Sequence, residues 1–127
     1  MVNSDTSRKM TILIVDDNSG VRRLLRRMVA EINATVVECS DGAYALASYI
    51  NHQPDVVLMD IHMPLQDGLA STLQIRKYDP AAKVVIVTDY DDDELRAAAS
   101  EAGALAYVVK QNLSSLVEFI GSASQLE

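Results

Sequence analysis

Five short hydrophobic runs are spaced along the chain, and each of them stops at a polar residue. They cover residues 11–15, 35–39, 56–59, 84–87 and 105–109. Their length and their content of β-branched residues are typical of strands that are buried on both faces of a sheet. We therefore predict five buried strands that end in polar loops.

The segment after the first run has the clearest helical periodicity in the sequence. Its hydrophobic residues recur three and four positions apart: Val21, Leu24, Leu25, Met28, Val29 and Ile32. Four arginines occupy the opposite side: Arg22, Arg23, Arg26 and Arg27. This pattern predicts a helix whose hydrophobic side packs on the sheet.

Two shorter helices are predicted after the second and third runs. The turn at residues 40–42 leads into a helix at residues 43–50, in which Leu46 and Ile50 are one helical turn apart. After a loop over residues 61–68, the next helix extends to Tyr78 and is closed by Asp79 and Pro80. Both helices lie between predicted strands, as crossover connections do.

The last two helices are marked by capping residues. Residues 91–102 begin with acidic side chains, which the helix dipole favours there, and are followed by Gly103 at the C-cap position. Asn112 is predicted to cap the final helix. The hydrophobic stripe of that helix consists of Leu113, Leu116, Val117 and Ile120.

Strands that alternate with helices build a parallel sheet covered by helices on both faces. We predict an α/β fold, a doubly wound five-stranded parallel sheet with five helices in a three-layer sandwich. Residues 10–124 form this domain, after a flexible leader at residues 1–9 and before a tail or the start of a linker at residues 125–127. A doubly wound sheet binds its ligand at the carboxyl ends of the strands. The residues at those ends are therefore the candidate site.

Composition and charge restrict the class of protein. The chain has 127 residues, 49% of them hydrophobic, which is too many for a disordered chain, and its runs are too short to cross a bilayer. The net charge of −7 combines six basic and four acidic residues in positions 1–34 with five basic and fourteen acidic residues in positions 35–127. This balance argues against direct nucleic acid binding by the domain. A lone cysteine, Cys39, and the lack of a signal segment favour the cytoplasm.

Polar residues whose side chains can bind a ligand or react follow four of the predicted strands. They are Asp16, Asp17, Asp60, Thr88 and Lys110. Singly, each has an ordinary alternative role: a helix cap, a turn residue, a strand-end hydroxyl or a surface lysine. A parallel sheet brings them to one edge, where the carboxylates would repel one another unless a cation joined them. Oxygen ligands suit Mg²⁺, and the sequence has no His/Cys set with zinc-like spacing.

The chain resembles the receiver domain of two-component response regulators from about Thr11 to about Ser122. The resemblance rests on the motifs ILIVDD at residues 12–17, VLMDIHMP at 57–64 with Asp67-Gly68, VT at 87–88 and YVVK at 107–110. Such domains have a flavodoxin-like fold. They catalyse their own phosphorylation and dephosphorylation and are not turnover enzymes.

The resemblance implies a role for each strand-end residue. Asp60 is the expected phosphoacceptor, and Asp16, Asp17, Asp60 and the main-chain carbonyl of His62 are the expected ligands of Mg²⁺, for which Mn²⁺ or Ca²⁺ could substitute. Thr88 is expected to bind a phosphoryl oxygen, and Lys110 to pair with the phosphorylated aspartate. The expected phosphodonor is a phosphohistidine on a sensor histidine kinase or a phosphotransfer protein.

The resemblance also implies an output mechanism. Thr88 and Tyr107 are the expected switch residues, and the fourth helix, fifth strand and fifth helix form the expected output face. This face is expected to control an output domain or partner, with transcription as the expected output, and to allow a homodimer to form on phosphorylation. For Tyr107, an ordinary strand aromatic is the simpler alternative.

Three residues beside the expected site could tune the lifetime of the phosphoryl group. Asp89 follows Thr88 where many receivers have a small residue, and its charge is expected to oppose phosphoryl binding. His62 and Tyr90 stand two positions after Asp60 and Thr88 and could limit the access of water, or could be ordinary exposed loop residues. Gln111, where many receivers have proline, resembles the subgroup with a LuxR-like helix-turn-helix output domain.

The arginine side of the first helix has two interpretations. It is either a solvated helix face or a contact for an acidic surface of the kinase, with Arg22, Arg23 and Arg26 as the expected contacts.

Two other functions are alternatives to a phosphorylated receiver. A nucleotide- or flavin-binding domain should have a Gly- or Ser/Thr-rich loop after the first strand, where this chain has Asp16, Asp17 and Asn18. A pseudo-receiver would act as a protein-interaction module without being phosphorylated, and Asp89 supports it.

Overall fold

All five predicted strands are present in one parallel sheet. A computed structural model describes residues 9–125, with the backbone alone for residues 122–125. The strands are β1 (Met10–Val15), β2 (Ala34–Cys39), β3 (Val56–Met59), β4 (Val84–Thr88) and β5 (Ala106–Val109). Their order across the sheet is β2-β1-β3-β4-β5, and every neighbouring pair is parallel. The doubly wound sheet is therefore confirmed, whereas most of the predicted leader and the last two residues lie outside the described residues.

Five α-helices connect and cover the strands. They are α1 (Ser19–Met28), α2 (Ala45–His52), α3 (Gly68–Tyr78), α4 (Asp93–Ala102) and α5 (Leu116–Gln125), with 3₁₀ turns at Gly42–Tyr44 and Lys110–Ser115. The side chains of Asn18, Asp67 and Asp92 each accept a backbone N–H at the start of a helix. Gly103 ends α4 with a φ of 98°, a left-handed conformation that glycine adopts without a steric cost.

The two faces of the sheet bury separate hydrophobic layers, because successive strand residues point to opposite faces. Ile12 and Ile14 of β1 pack on one face with Leu25 of α1 and Ile120 of α5. Leu13 and Val15 belong to the other layer, with residues of α2, α3 and α4 such as Tyr49, Ile75 and Ala99. The predicted three-layer arrangement is confirmed, and it explains why the strands are hydrophobic throughout.

The second helix differs from the prediction. It begins at Ala45 and ends at His52, after a 3₁₀ turn, so the predicted range 43–50 is two residues too early. Its buried side is formed by Ala45 and Tyr49, whereas Ile50 is 43% exposed. Tyr49 is buried, and its hydroxyl donates to the carboxylate of Asp79 at 2.6 Å.

Other boundaries and faces are also corrected. Leu24 and Val117 are exposed although both belong to the predicted hydrophobic stripes. Leu105 precedes β5, and residue 91 precedes α4, whose N-cap is Asp92. Asn112 has a non-helical backbone, accepts a hydrogen bond from Ser114 and does not cap α5, which begins at Leu116. Periodicity locates these elements, but the local backbone decides where each helix starts.

Within the described residues, no helix is both long enough and hydrophobic enough to cross a membrane.

Candidate functional site

Three carboxylates meet at the carboxyl edge of the sheet. Asp16 follows β1 and Asp60 follows β3, and these two strands are direct neighbours. The Asp60 amide donates to the carbonyl of Val15 at 2.9 Å, so the register of the sheet places the two aspartates side by side. One carboxylate oxygen from each of Asp16, Asp17 and Asp60 can be chosen so that the three atoms lie within 4.8 Å of one another. Asp16 and Asp60 are buried, whereas Asp17 is exposed.

Lys110 lies among these carboxylates, directly after β5. Its Nζ donates to Asp16 Oδ2 at 3.0 Å and to Asp60 Oδ1 at 3.3 Å. The lysine side chain is only 12% exposed. A third carboxylate oxygen, Oδ2 of Asp89, lies 3.9 Å from the same nitrogen. The structure thus brings together four of the five predicted strand-end residues and adds Asp89.

The site is short of positive charge. Burial, and next the charge of Asp16, raise the pKa of Asp60 to about 6, although Lys110 acts in the opposite direction. Burial alone would lower the pKa of Lys110, but its hydrogen bond to Asp16 and the nearby carboxylate charges hold that pKa above its ordinary value. Burial is the larger cause of the raised Asp60 pKa, and the contribution of Asp16 adds repulsion between the two neighbouring carboxylates.

The donor set fits a hard divalent cation. Three carboxylates carry three negative charges and Lys110 offsets one of them, so the remainder matches the charge of Mg²⁺. Mg²⁺ prefers a few carboxylate oxygens and retains water, and Mn²⁺ and Ca²⁺ accept the same oxygen ligands. A cavity of about 180 Å³ beside the aspartates leaves room for water or a phosphoryl group. The expected contribution of the His62 main-chain carbonyl stays a prediction.

The backbone of Asp60 is held from behind by the start of α3. The amide of Gly68 donates to the carbonyl of Ile61 at 2.7 Å. A Cβ atom at position 68 would lie 1.8 Å from the carbonyl oxygen of Asp60 and 2.9 Å from Cγ of Met59. Only glycine allows this approach, so Gly68 fixes the position of the predicted phosphoacceptor.

The loop between Asp60 and α3 is anchored by Asp41. The buried Asp41 carboxylate accepts backbone N–H groups of Ala43 at 2.9 Å and of Leu65 and Gln66 at 3.1 Å. Burial alone would raise the pKa of Asp41, but these hydrogen bonds outweigh it and lower the pKa. The sequence predicts only a turn at Asp41. Its contact with Leu65, which is 24 residues away in the chain, exists only in the folded protein.

Aromatic residues line the solvent side of the cavity. His62 and Tyr90 both line it and are both exposed, and their rings meet edge to face with centroids 4.7 Å apart. The amide of Tyr90 donates to the hydroxyl of Thr88 at 3.3 Å, and Thr88 is fully buried. The hydroxyl of Tyr107 donates to the carbonyl of Tyr90 at 2.6 Å. Tyr90 therefore contacts both predicted switch residues, Thr88 and Tyr107, and also His62.

The arginines of α1 are not equivalent. Arg22 and Arg26 both pair with Glu38 of β2, at 2.8 and 2.9 Å, and their hydrogen bonds and charges lower the pKa of Glu38. Arg22 also donates to the main-chain carbonyl of Asp16 at 2.7 Å. Arg23 and Arg27 are exposed. Sequence analysis missed the contact of Arg22 with the site, since helical spacing does not reveal partners on another strand.

Comparison with known proteins agrees with this geometry. Residues 12–120 match the family model described as the response regulator receiver domain. The chain is 35% identical over 99 residues to the chemotaxis protein CheY of Halobacterium salinarum, covering 78% of this chain and 82% of that protein. Longer regulators also match, and the chain spans 21–41% of their length.

Solved structures give the same result. A LuxR-family response regulator from Aurantimonas superposes with a TM-score of 0.86 at 33% identity, covering 93% of this chain and 87% of that one. CheY in a complex with CheX, BeF3 and Mg²⁺ from Borrelia burgdorferi superposes with a TM-score of 0.87 at 26% identity, covering 97% and 95%. With its predicted fold, its acidic strand-end cluster and a match over most of its length, the chain belongs to the response regulator receiver domain family of two-component signal transduction.

Proposed function

We propose that this chain accepts a phosphoryl group on Asp60 from a phosphohistidine and relays the signal to an output domain or partner. The observation that supports this most directly is the bridge that Lys110 makes between Asp16 and Asp60, beside Asp17. Receiver domains bind Mg²⁺ in an acidic pocket and work with histidine kinases and phosphotransfer proteins. They are signalling modules, although some longer relatives are enzymes.

The chemistry follows from the residues around Asp60. A carboxylate oxygen of Asp60 bonds to phosphorus while the bond from phosphorus to the histidine nitrogen breaks and the imidazole leaves. The positive charge of Lys110 offsets the negative charge of the attacking carboxylate and of the transferred group. Its hydrogen bond to Asp60 also orients the carboxylate. Mg²⁺, when held by Asp16, Asp17 and Asp60, supplies the remaining charge neutralisation.

The signal would leave the pocket through Thr88 and Tyr107. A phosphoryl group adds about two negative charges and new acceptor oxygens, and the Thr88 hydroxyl is a donor that it would attract. Tyr107 is already bonded to the loop that follows Thr88, through the carbonyl of Tyr90. The helix α4 next to this loop buries mainly alanines, so it costs little to move. We assign the output face to α4, β5 and α5, with a homodimer as one consequence of phosphorylation.

The kinase would dock on α1, beside the pocket. Arg23 is fully available for an acidic partner, whereas Arg22 and Arg26 would have to share Glu38 with it. Reversing the charge of Arg23 should slow phosphotransfer from the kinase but not from a small phosphodonor, because the small donor does not use the docking face. The same slowing with both donors would argue against docking on α1.

The lifetime of the phosphoryl group would be set at the rim of the cavity. Asp89 places a further negative charge near Lys110, while His62 and Tyr90 restrict the approach of water. Replacing Tyr90 with alanine should therefore change the rate of dephosphorylation.

The likeness to LuxR-family regulators supports a transcriptional output, in which a separate domain would bind DNA.

The decisive experiment is phosphorylation by acetyl phosphate and Mg²⁺, followed by intact mass spectrometry. We expect a mass gain of one phosphoryl group that disappears in Asp60→Asn and with EDTA. Glu118→Gln, which neutralises an exposed carboxylate on α5, is the matched control and should be modified normally. If neither acetyl phosphate nor a kinase produces a mass gain at Asp60, the chain is a pseudo-receiver, the alternative that the charge of Asp89 supports.

A further inference from the structure

A series of side-chain contacts connects the middle of α4 to the rim of the cavity. Asp91 Oδ1 accepts two hydrogen bonds from Arg96, from Nη2 at 2.9 Å and from Nε at 3.3 Å. The guanidinium carbon of Arg96 lies 4.6 Å from the centroid of the Tyr107 ring. The Tyr107 hydroxyl bonds to the carbonyl of Tyr90, whose ring meets that of His62. Arg96 does not line the cavity, so any effect it has there passes through Tyr107 or through Asp91, the residue that follows Tyr90.

The guanidinium of Arg96 lies over the face of the Tyr107 ring. A guanidinium stacks on an aromatic face by its charge and its plane, and Asp91 holds that plane in place. The ring position matters because the Tyr107 hydroxyl reaches Tyr90 only at the end of a rigid side chain. Loss of the stacking interaction would leave the hydroxyl free to exchange between Tyr90 and water.

The Tyr90 main chain is in turn held on both sides of its Cα atom. Its amide donates to the Thr88 hydroxyl, and its carbonyl accepts from Tyr107. With both bonds made, the Tyr90 ring stays against His62 on the solvent side of the cavity. The bond to Tyr107 is the one that joins this loop to β5.

We propose that Arg96 is a positioning residue that keeps the Tyr90 and His62 rings over the cavity and so slows hydrolysis of the phosphoryl group on Asp60. This proposal rests on the proposed function. In hydrolysis a water oxygen bonds to phosphorus, the bond from phosphorus to the Asp60 oxygen breaks, and Asp60 leaves as a carboxylate. Inorganic phosphate is the product, and the proton lost by the water goes to solvent. A rim held closed by Arg96 lowers the chance that water reaches the phosphorus.

The test is the lifetime of the phosphorylated protein after removal of acetyl phosphate. We expect Arg96→Ala to shorten it about two- to five-fold, the range that corresponds to an exposed cation–π contact. Arg96→Lys should restore part of the lifetime, because it keeps the charge but not the plane. Lys77→Ala is the matched control, since it removes one positive charge from the exposed last turn of α3, and it should leave the lifetime unchanged.

A double variant separates this route from a general loss of structure. Tyr107→Phe removes the hydroxyl that reaches Tyr90, so the part of the Arg96→Ala effect that passes through Tyr107 should vanish in that background, and the fold-change should be smaller than in the wild type. If Arg96→Ala shortens the lifetime equally in both backgrounds, or not at all in the wild type, the positioning role is wrong.

Hydrogen exchange of the unphosphorylated protein gives a second test that does not require phosphorylation. The amide of Tyr90 should exchange about two- to five-fold faster in Arg96→Ala than in the wild type. Unchanged exchange would overturn the restraint itself. If the wild type is not phosphorylated at all, the proposed function fails together with the lifetime effect, and faster exchange would still support the contact between Arg96 and the loop.

Discussion

Gly68→Ala should damage the site without changing any residue that contacts a ligand. The added Cβ would lie 1.8 Å from the carbonyl oxygen of Asp60, whereas ordinary contacts begin at 3.4 Å. The oxygen belongs to the main chain, so it cannot rotate away as the end of a side chain could. The Asp60 backbone and the start of α3 must therefore move apart by more than about 1 Å.

This displacement determines how much stability and how much phosphorylation rate the variant should lose. Overpacking of a rigid interior costs about 1–3 kcal/mol, so the free energy of unfolding should fall by that amount. A displacement of about 1 Å at a reacting group can cost about a hundred-fold in rate. We therefore expect the initial rate of phosphorylation by acetyl phosphate to fall by about two orders of magnitude, more than the loss of stability alone would produce.

Two measurements check this prediction. Urea unfolding followed by circular dichroism gives the free energy of unfolding, and intact mass spectrometry gives the phosphorylation rate. Gly121→Ala is the control, because its Cβ would meet nothing within 4 Å, and it should keep the wild-type rate and gain up to about 1 kcal/mol of helix stability. A folded Gly68→Ala protein that is phosphorylated at the wild-type rate would refute the reasoning.

Three further substitutions test other contacts. Asp41→Asn should lower the free energy of unfolding by about 2–4 kcal/mol at neutral pH, because it weakens charge-assisted hydrogen bonds from the loop. The pKa of Asp41 is lower in the folded protein than in the unfolded one, so its stabilising contribution is present above about pH 4 and is lost as the pH falls through the folded-state pKa. Urea titrations at several pH values should therefore show the free energies of unfolding of the two proteins converging in acid. Asp60→Asn should raise the free energy of unfolding in EDTA by about 2 kcal/mol, because it removes one of three clustered charges. Mg²⁺ should stabilise the variant less than the wild type, and equal stabilisation would count against Asp60 as a ligand. Tyr49→Phe should cost about 1–3 kcal/mol through the lost hydrogen bond to Asp79, whereas the exposed Tyr44→Phe should cost little, and similar thermal shifts for both would contradict this assignment.

Sequence alone was sufficient for the fold and for most residues of the site. The five hydrophobic runs predicted the strands because parallel strands are buried on both faces and need side chains that suit both. Asp16, Asp60, Thr88 and Lys110 could be assigned to one edge because all parallel strands end there. The exposed Leu24 and Ile50 could not be recognised, since a hydrophobic stripe shows which side of a helix is buried but not how wide the contact is.

The contacts that organise the site depended on the tertiary structure. Lys110 and Asp16 are 94 residues apart, and their 3.0 Å contact exists only because the parallel sheet brings the carboxyl ends of β1 and β5 to the same edge. The anchoring of the loop by Asp41 and the close approach of Gly68 to Asp60 likewise join segments that no local pattern relates. The raised pKa of Asp60 has the same origin, because burial and a neighbouring charge are properties of the assembled edge. Local patterns specify each strand and helix through the side chains they bury, whereas distances and electric fields between side chains are set when the strands pair and the helices pack.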